Sequence, residues 1–326
     1  TWAGYGAWRE GYIREVAPDV AVCGATLDVG GPMMVAAAAR AGKPAFSVFD
    51  HSWAATLRGL CRADCPRRLH APPDSRAVKT ALRVASEIEA DERLASGVFL
   101  FDAYMCPPEF RDHWQALGAP VTILPGVFGQ RRDPAEARSC LNRLLTELGQ
   151  APVGSDERLV LISPGGTMVW DDLLPRMIDG FLNQPSAGFT PVLSRPNVGS
   201  EVKARMRAAG RVRWFDYGPG ATQQPLLPAF ELVITRAGGG TVNDCLATRT
   251  ALACVHEPFW QVALIERELR RRGWLVESPE ADLDVFARDP AEAVGRLVAA
   301  GRPQVDYPPA GAEKVVAERL LATLGK

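Results

Sequence analysis

The chain has 326 residues, enough for two domains that each bury a core of their own. Its composition, 47% hydrophobic and 23% charged, is that of a soluble globular protein, and no run approaches the ~20 apolar residues that a membrane span requires. The formal net charge of −1 at pH 7 gives no broad basic field, which excludes a nucleic acid or an anionic membrane as an expected partner.

Short apolar runs alternate with helical stretches through the first half of the chain. Strand-like runs lie at 20–25, 44–49, 97–101 and 120–126, and an alanine-rich helix follows the first of them. The irregular segment 61–77, rich in proline and charge, is predicted to be a loop. Strands separated by helices predict right-handed crossovers and a mostly parallel sheet.

The second half repeats this scheme. Strands are predicted at 158–163, 190–194, 212–217, 231–235 and 251–256, followed by amphipathic helices at 261–273 and at the C-terminus. Asp133 and Pro134 have the pattern of an N-cap and a first helical residue near the start of this half. The sequence therefore predicts an α/β protein with two Rossmann-like parallel-sheet domains, 1–130 and 131–326, the second including the C-terminal helices.

The seven cysteines are odd in number and scattered, which favours free thiols in a reducing cytoplasm. Cys61 and Cys65, with His70 nearby, have one plausible zinc spacing, but no second pair follows, so we expect no metal site. The N-terminal stretch TWAGYGAWREG is typical of neither a signal peptide nor a transit peptide, and it lacks an initiating methionine.

Two glycine-rich loops follow predicted strands of the second half, SPGGTM at 163–168 and TRAGGGTVND at 235–244. Glycines allow close backbone approach, and N–H groups at a helix start point towards an anion. Ligands bind at this strand edge in open α/β sheets, so the pair of loops, with Arg236 beside one, favours a phosphorylated ligand. The alternative is two tight strand-to-helix turns. Neither loop has the form of a dinucleotide fingerprint or a P-loop.

The segment that runs from ELVITRAGGGTVNDC to ELRRRGW resembles the nucleotide-sugar-binding part of GT-B glycosyltransferases, especially the MurG-type family and its macrolide and flavonoid relatives. Gly238, Thr241, Asp244, Pro258 and Gln261 carry the resemblance, whereas Arg249-Thr250-Ala251 replaces the common G-x-P. SPGGT and the segment VRWFDYGPGATQQPLLPAF resemble the first glycine loop and the nucleobase segment of the same domain.

This resemblance implies a donor site. The loop glycines and Thr241 would hold the diphosphate, Asp244 the ribose hydroxyls, and Gln261, with His256 and Glu257, would face the sugar. The expected donor-binding residues are Gly165, Gly166, Thr167, Arg195, Phe215, Tyr217, Gly218, Arg236, Gly238, Gly239, Gly240, Thr241, Asp244, His256, Glu257 and Gln261.

The first half resembles the acceptor domain of these enzymes more loosely, through APDVAVCGATLDVGGP and the strand that follows it. TILPGV resembles the crossing between domains, and hinges are expected near Gly126 to Gln130 and at the C-terminal helices. The family usually begins with a strand and a Gly-Gly-His loop that supplies the catalytic base. Since this sequence has no such loop, we expect the N-terminal domain to be truncated or abbreviated.

Catalytic and acceptor-binding candidates also come from the first half. FDHSW follows a strand, and either His51 or Asp50 could act as the catalytic base; alternatively Asp50 caps the next helix and His51 is an ordinary surface histidine. Asp28 and Trp53 are candidates for acceptor binding. The alternatives are that Asp28 is a capping aspartate in a glycine turn and that Trp53 packs in the core. His70 and His113 are expected to have no catalytic role.

The function predicted from these features is that of a cytoplasmic hexosyltransferase of the Leloir type. It would move a sugar from a nucleotide diphosphate sugar, UDP-linked in preference to dTDP-linked, to a hydroxyl of a small-molecule or lipid-linked acceptor. It needs no metal, since helix N-termini and basic residues stabilise the leaving diphosphate, and no prosthetic group. A homodimer or a partner protein is compatible with this reading. The alternatives are a catalytically silent GT-B partner or activator protein and a nucleotide-sugar 2-epimerase.

Overall fold

A computed structural model gives the architecture of the chain. It describes residues 12–16, 18–24, 30–49, 52–62, 72–101, 107–129, 131–164, 170, 174–183, 188–194, 196, 198–216, 223–256, 260–277, 286, 288–303 and 305–325.

Strands and helices alternate in chain order. The earlier elements are β1 (Ala21–Gly24), α1 (Gly30–Arg40), β2 (Ala45–Phe49), α2 (Trp53–Leu60), α3 (Arg76–Glu92), β3 (Gly97–Phe101), α4 (Pro108–Ala116), β4 (Val121–Leu124) and α5 (Pro134–Glu147). The later ones are β5 (Leu159–Ser163), α6 (Leu174–Asn183), β6 (Thr190–Ser194), α7 (Ser200–Ala209), β7 (Arg213–Phe215), a 3₁₀ helix (Gln224–Ala229), β8 (Leu232–Thr235), α8 (Gly239–Thr248), β9 (Ala251–Cys254), α9 (Trp260–Arg271), α10 (Pro290–Ala300) and α11 (Ala312–Thr323). Among the described residues, no helix combines the length and apolar character needed to cross a bilayer.

The chain divides into two compact units. The first contains Thr1–Val127, Pro258–Glu268 and Gly311–Lys326, and the second contains Phe128–Glu257 and Leu269–Ala310. The segments 258–268 and 311–326 thus group with the first unit, whereas the sequence prediction assigned everything after residue 130 to the second domain. The acceptor and donor roles of the two domains stay a prediction.

Contacts within the first unit explain the two returning segments. The Trp260 ring packs edge-to-face on Phe110, with centroids 5.4 Å apart and planes at 88°. Leu264, one helical turn later, joins the same cluster with Ala55. Ala312 donates its N–H to the carbonyl of Val127 at 3.5 Å.

The described sheet of the first unit is parallel and has the sequential order β1-β2-β3-β4. Its strands are short apolar runs, and β3 is buried along its whole length, as expected when helices cover both faces of a parallel sheet. The alanine-rich α1 packs closely on it because small side chains permit close approach, and Val35, Ala37 and Ala38 are completely buried.

The sheet of the second unit is also parallel, in the order β7-β6-β5-β8-β9. The central strands β5 and β8 are buried along their whole length. The core includes Ile162, Trp170, Met177 and Leu193, all of them completely buried. The predicted parallel α/β architecture is thus confirmed in both units.

Three side-chain amides pair with backbone as a neighbouring strand would. Gln150, only 6% exposed, donates to the carbonyl of Trp214 at 2.6 Å and accepts from its N–H at 3.1 Å. These two bonds satisfy the backbone N–H and C=O of Trp214 at the outer edge of the edge strand β7. Asn142 makes the same pair of bonds with Val153, at 3.1 and 2.8 Å. The third amide, Asn243, belongs to the candidate site.

Local signals placed one helix start correctly. Asp133 is the N-cap of α5, its carboxylate accepts from the N–H groups of Ala135 and Glu136, and Pro134 is the first helical residue. The predicted cap of this helix is confirmed.

Candidate functional site

The order of the strands in the second unit points to one crevice. From β5 the chain proceeds through β6 to β7 on one side of the sheet, and then returns to place β8 and β9 on the other side. In an open α/β sheet the ligand crevice lies at the carboxyl ends of the strands where this reversal occurs. The described strands of the first unit keep their sequential order and contain no such reversal.

Both glycine-rich loops begin at this reversal. Ser163 and Thr235 are the last residues of β5 and β8, and they are register partners in neighbouring strands. The Thr235 hydroxyl also donates to the Ser163 carbonyl at 2.6 Å, which fixes one strand end to the other. Two loops separated by about seventy residues in sequence therefore start side by side.

The second loop leads directly into the N-terminus of α8. Gly238 is the N-cap, no side chain caps the helix, and its first turn contains no acidic residue. A Cβ added at Gly240 would meet nothing within 4 Å, so packing within the protein does not require glycine there. The open space over the helix start leaves room for a ligand close to the backbone N–H groups.

A buried cation lies beside this helix start. Arg236 is 6% exposed, and its Nε lies 3.7 Å from the position that a Cβ of Gly238 would occupy. The N-terminus of a helix carries a partial positive charge, so two positive potentials occur together here. The combination favours a bound anion such as a phosphate group.

A chain of hydrogen bonds between buried polar side chains connects the ends of β6 and β5 to Thr241 in the second loop. The Ser194 hydroxyl donates to Ser163 Oγ at 3.0 Å, and Ser163 Oγ donates to Gln223 Oε1 at 3.3 Å. Gln223, 4% exposed, donates from Nε2 to Thr241 Oγ1 at 3.3 Å. A hydroxyl that accepts such a bond keeps its own hydrogen for donation, which suits Thr241 to a phosphate oxygen.

Asp244 lies further along α8 and is held in place by amides. Its Oδ1 accepts from Gln224 Nε2 at 3.0 Å, and the same Nε2 lies 3.1 Å from the carbonyl of Phe128. Asn243 bonds both backbone groups of Phe128, accepting its N–H and donating to its carbonyl, each at 3.0 Å. The backbone of Phe128 is therefore fixed to α8, within the interval where a hinge was predicted.

Gly129, the next residue, adopts a backbone conformation that favours glycine, with φ of +101°. A Cβ at this position would collide with the side-chain amide of Gln224. The hinge itself stays a prediction, but the close approach explains why glycine follows Phe128.

The other described candidates lie in three different places. Phe215 ends β7 and is completely buried, so in this conformation only its backbone groups could contact a nucleobase. His256 is exposed just beyond β9. Gln261, 7% exposed in α9, and Trp53, half-buried at the start of α2, both belong to the first unit. Their roles in binding stay predictions.

Ten predicted site residues lie outside the described residues: Asp28, Asp50, His51, Gly165, Gly166, Thr167, Arg195, Tyr217, Gly218 and Glu257.

The residue after His51 belongs to a buried polar cluster in the first unit. Ser52 is the N-cap of α2 and donates from Oγ to both carboxylate oxygens of Glu92, at 2.9 and 3.0 Å. Glu92 is 1% exposed, and His113 Nε2 lies 2.9 Å from its Oε2. The expectation that His113 has no catalytic role stays a prediction, and this contact gives the side chain a structural partner.

Sequence reasoning missed Gln223, Gln224 and Asn243 as individual contributors. The signal that could have identified Gln223 and Gln224 is a pair of adjacent glutamines before a proline. This pair lies in the segment that resembles the nucleobase segment. Asn243 had no local signal, because its partner Phe128 is 115 residues away.

Metal ligands show no comparable convergence. Within the described ranges, no three His, Cys, Asp or Glu side chains come together as a group that could hold a metal ion. Metal independence of the reaction stays a prediction.

Comparison with solved structures identifies the architecture. Over 90% of its length the chain superimposes on 67% of Glycyrrhiza uralensis UGT73P12, complexed with glycyrrhetinic acid 3-O-monoglucuronide, with a TM-score of 0.54 and 16% identity. Over 98% of its length it superimposes on 81% of the UDP-GlcNAc 2-epimerase from Neisseria meningitidis bound to UDP-GlcNAc, with a TM-score of 0.57 and 12% identity. The fold is GT-B.

A third GT-B structure, S. aureus MnaA with UDP, matches all of this chain and 79% of its own, with a TM-score of 0.59 and 10% identity. At such identities the likeness concerns the fold and not the reaction. No family model matches the sequence, and no curated protein matches it as a relative.

Proposed function

We propose that this GT-B protein transfers a hexose from a nucleotide diphosphate sugar, with UDP as the favoured nucleotide, to a hydroxyl of a small-molecule or lipid-linked acceptor. One observation carries the proposal: both glycine-rich loops start from the register partners Ser163 and Thr235, at the strand reversal where this sheet type binds ligands. Further support comes from neighbours whose structures contain UDP or a UDP-sugar.

The described residues would act mainly on the leaving group. Negative charge develops on the diphosphate as the sugar departs, and the N-terminus of α8 together with Arg236 would stabilise it. Thr241 would donate to a phosphate oxygen, while Asp244, oriented by Gln224, would accept from the ribose hydroxyls. The proposal requires no divalent cation, as the resemblance to MurG-type enzymes implies. It also places the enzyme in the cytoplasm.

The acceptor hydroxyl must also lose its proton. We assign this role to His51, with Asp50 as the alternative, because both directly follow strand β2 and either side chain can accept a proton. The bond from Ser52 to Glu92 fixes the side chain of the residue that comes after them. Comparing kcat for His51→Ala and Asp50→Ala, with KM for the donor as a control, separates the two candidates, since loss of the base lowers kcat and leaves KM for the donor nearly unchanged.

A 2-epimerase is the second candidate. Two neighbours named as epimerases bear as close a fold likeness as the glycosyltransferases, with TM-scores of 0.57 for the N. meningitidis enzyme and 0.53 for the putative UDP-N-acetylglucosamine 2-epimerase from Listeria monocytogenes. Incubating the chain with UDP-GlcNAc and following the sugar by NMR distinguishes the reactions. Appearance of the 2-epimer without an added acceptor would replace the transferase proposal.

The donor site itself is tested by nucleotide binding. UDP, dTDP, GDP and ADP are titrated calorimetrically and by thermal shift, and a ligand at 100 times its Kd stabilises the folded state by about 2.7 kcal/mol. Gly240→Val is expected to abolish the shift while leaving the unliganded melting temperature nearly unchanged, because its side chain enters open space.

Gly295→Val provides the matched control. Gly295 lies in α10 of the same unit, and a Cβ there also meets nothing within 4 Å, so this variant is expected to bind like the wild type. Asp244→Ala should weaken the binding of nucleotides with ribose hydroxyls more than it weakens the binding of pyrophosphate. Equal shifts in Gly240→Val and the wild type would remove the donor site from this loop, and binding without turnover of any donor would favour the silent-partner alternative.

A further inference from the structure

The second unit contains a cavity of ≈ 630 Å³ away from the glycine-rich loops. Residues that precede β5 and β8, together with those that follow α8, line it, so it lies at the amino-terminal edge of the sheet. The donor crevice lies at the opposite, carboxyl edge. Its volume is within the range of small-molecule sites.

Positive charge predominates in this cavity, which is lined by five arginines and three carboxylates. Two carboxylates are engaged by the protein. Arg158 binds Glu231 with two bonds of 2.7 Å and holds the pKa of that carboxyl below its usual range. Glu157 accepts from the Gly154 N–H at 2.8 Å and from the Thr190 hydroxyl at 2.7 Å.

Three of the arginines remain for a ligand. Among the described residues, the guanidinium groups of Arg131, Arg249 and Arg302 make no hydrogen bond or ion pair, and all three residues are exposed. Asp156 is the remaining carboxylate and accepts from the Ser155 hydroxyl at 3.0 Å.

The backbone of Arg249 is a second and independent observation. Its φ of +57° makes it the sole non-glycine residue with a positive φ in the described part of the chain. Glycine adopts this conformation at the end of a helix without strain, whereas arginine does not. A cation at a helix C-terminus is favourable in itself, but placing it in the last turn would give that benefit without the strain.

Arg131, Arg249 and Arg302 come from three separate segments of the chain and line one cavity, so their side chains converge there. The phenol of Tyr307 experiences the same charges: burial raises its pKa, while Arg302, Arg131 and Arg249 act to lower it.

We propose that this cavity binds a small anionic ligand with two or more phosphate groups, held by Arg131, Arg249 and Arg302. The planar guanidinium group presents paired donors that match phosphate oxygens, which lysine does not. The site is separate from the donor crevice, and it does not depend on which sugar reaction the protein catalyses.

Inorganic pyrophosphate is the probe, titrated calorimetrically at about 0.15 M salt, where unspecific attraction is screened. Because the donor crevice could also bind pyrophosphate, every titration uses the Gly240→Val background. On this background Arg249→Gly and Arg302→Gln are each expected to weaken binding at least tenfold. Arg176→Gln, which removes an exposed charge of α6 outside the cavity, should leave it within twofold.

Folding and helix charge are controlled separately. Arg249→Gly relieves the strained backbone, so its unliganded melting temperature should equal or exceed that of the parent. Arg249→Lys keeps a cation at the end of α8 but loses the paired donors, and it should still weaken binding several-fold.

Three calorimetric outcomes would overturn the proposal. The first is pyrophosphate binding that is unchanged in both Arg249→Gly and Arg302→Gln. The second is an equal loss of affinity in Arg176→Gln. The third is full affinity in Arg249→Lys with a loss of affinity only in Arg249→Gly. Sedimentation with phosphatidic acid vesicles distinguishes a lipid headgroup from a free phosphate compound. Retention on vesicles that is lost in Arg302→Gln would overturn the assignment to a small soluble ligand.

Discussion

The amide of Asn243 holds the chain at Phe128 against α8, and removing it tests whether this contact positions the proposed donor site. Asn243→Leu keeps the branched shape and the number of side-chain heavy atoms, and it eliminates both 3.0 Å bonds to Phe128. The carbonyl of Phe128 keeps its bond from Gln224 at 3.1 Å, whereas its N–H loses the bond to Asn243 Oδ1. Loss of the acceptor of a partly buried donor costs about 1–3 kcal/mol.

The stability loss should therefore be about 2 kcal/mol. For a unit of this size that corresponds to a decrease of roughly 4–8 °C in the melting temperature. Binding should weaken as well, because Gln224 divides one Nε2 group between Phe128 and Asp244 and would move towards the carbonyl that Asn243 has left. We expect UDP to bind roughly three to ten times more weakly, or about 0.6–1.4 kcal/mol.

Asn142→Leu is the matched control, since Asn142 makes the same pair of bonds with Val153 at a distance in sequence from the loops. It should lose a similar amount of stability by thermal melting and bind UDP as tightly as the wild type by calorimetry. If Asn142→Leu weakened UDP binding equally, the loss would follow from general destabilisation. If Asn243→Leu bound UDP with full affinity, the idea that this clamp positions Asp244 would be refuted.

Three further predictions concern stability and reactivity. Gly59→Ala should destabilise the protein by about 1–3 kcal/mol in urea denaturation, because the new methyl group collides with the ring of Trp260; an unchanged midpoint would contradict that packing. Burial acts to raise the pKa of Glu157, but its hydrogen bonds and nearby arginines hold it below the usual value. The stability it contributes is thus present above the pKa of an unfolded glutamate, about 4.3, and lost as the pH falls through the folded value, so Glu157→Gln should flatten the acid limb of a stability profile. Burial also raises the pKa of the Cys245 thiol well above its usual value, so a thiol reagent at pH 8 should modify the half-buried Cys140 before Cys245, and equal rates would argue against this burial.

Local patterns in the sequence predicted the elements and the loops, because their causes are local. Asp133 and Pro134 define a helix start within four residues. Alternation of apolar runs and helices predicted the parallel sheets, and the apolar side expected of α9 is buried at Val262 and Ile265. The glycine loops were placed at strand ends for the same reason.

Periodicity, however, does not specify the partner of a helix. The apolar side of α9 was predicted correctly, yet its residues up to Glu268 group with the first unit because Trp260 and Leu264 fit the cluster around Phe110. The bonds of Asn243 and Gln224 to Phe128 join residues far apart in sequence, so no local pattern indicates them.

The interleaved course of the chain has a consequence for recombination. A chimaera that exchanged the second half of the chain with that of another GT-B protein by a single crossover near residue 130 would bring a foreign 258–268 segment with it. Phe110 would then meet a side chain other than the Trp260 with which it packs. Productive exchange requires junctions near 127, 257, 268 and 310, so specificity in this architecture is more readily transferred by grafting loops than by shuffling halves.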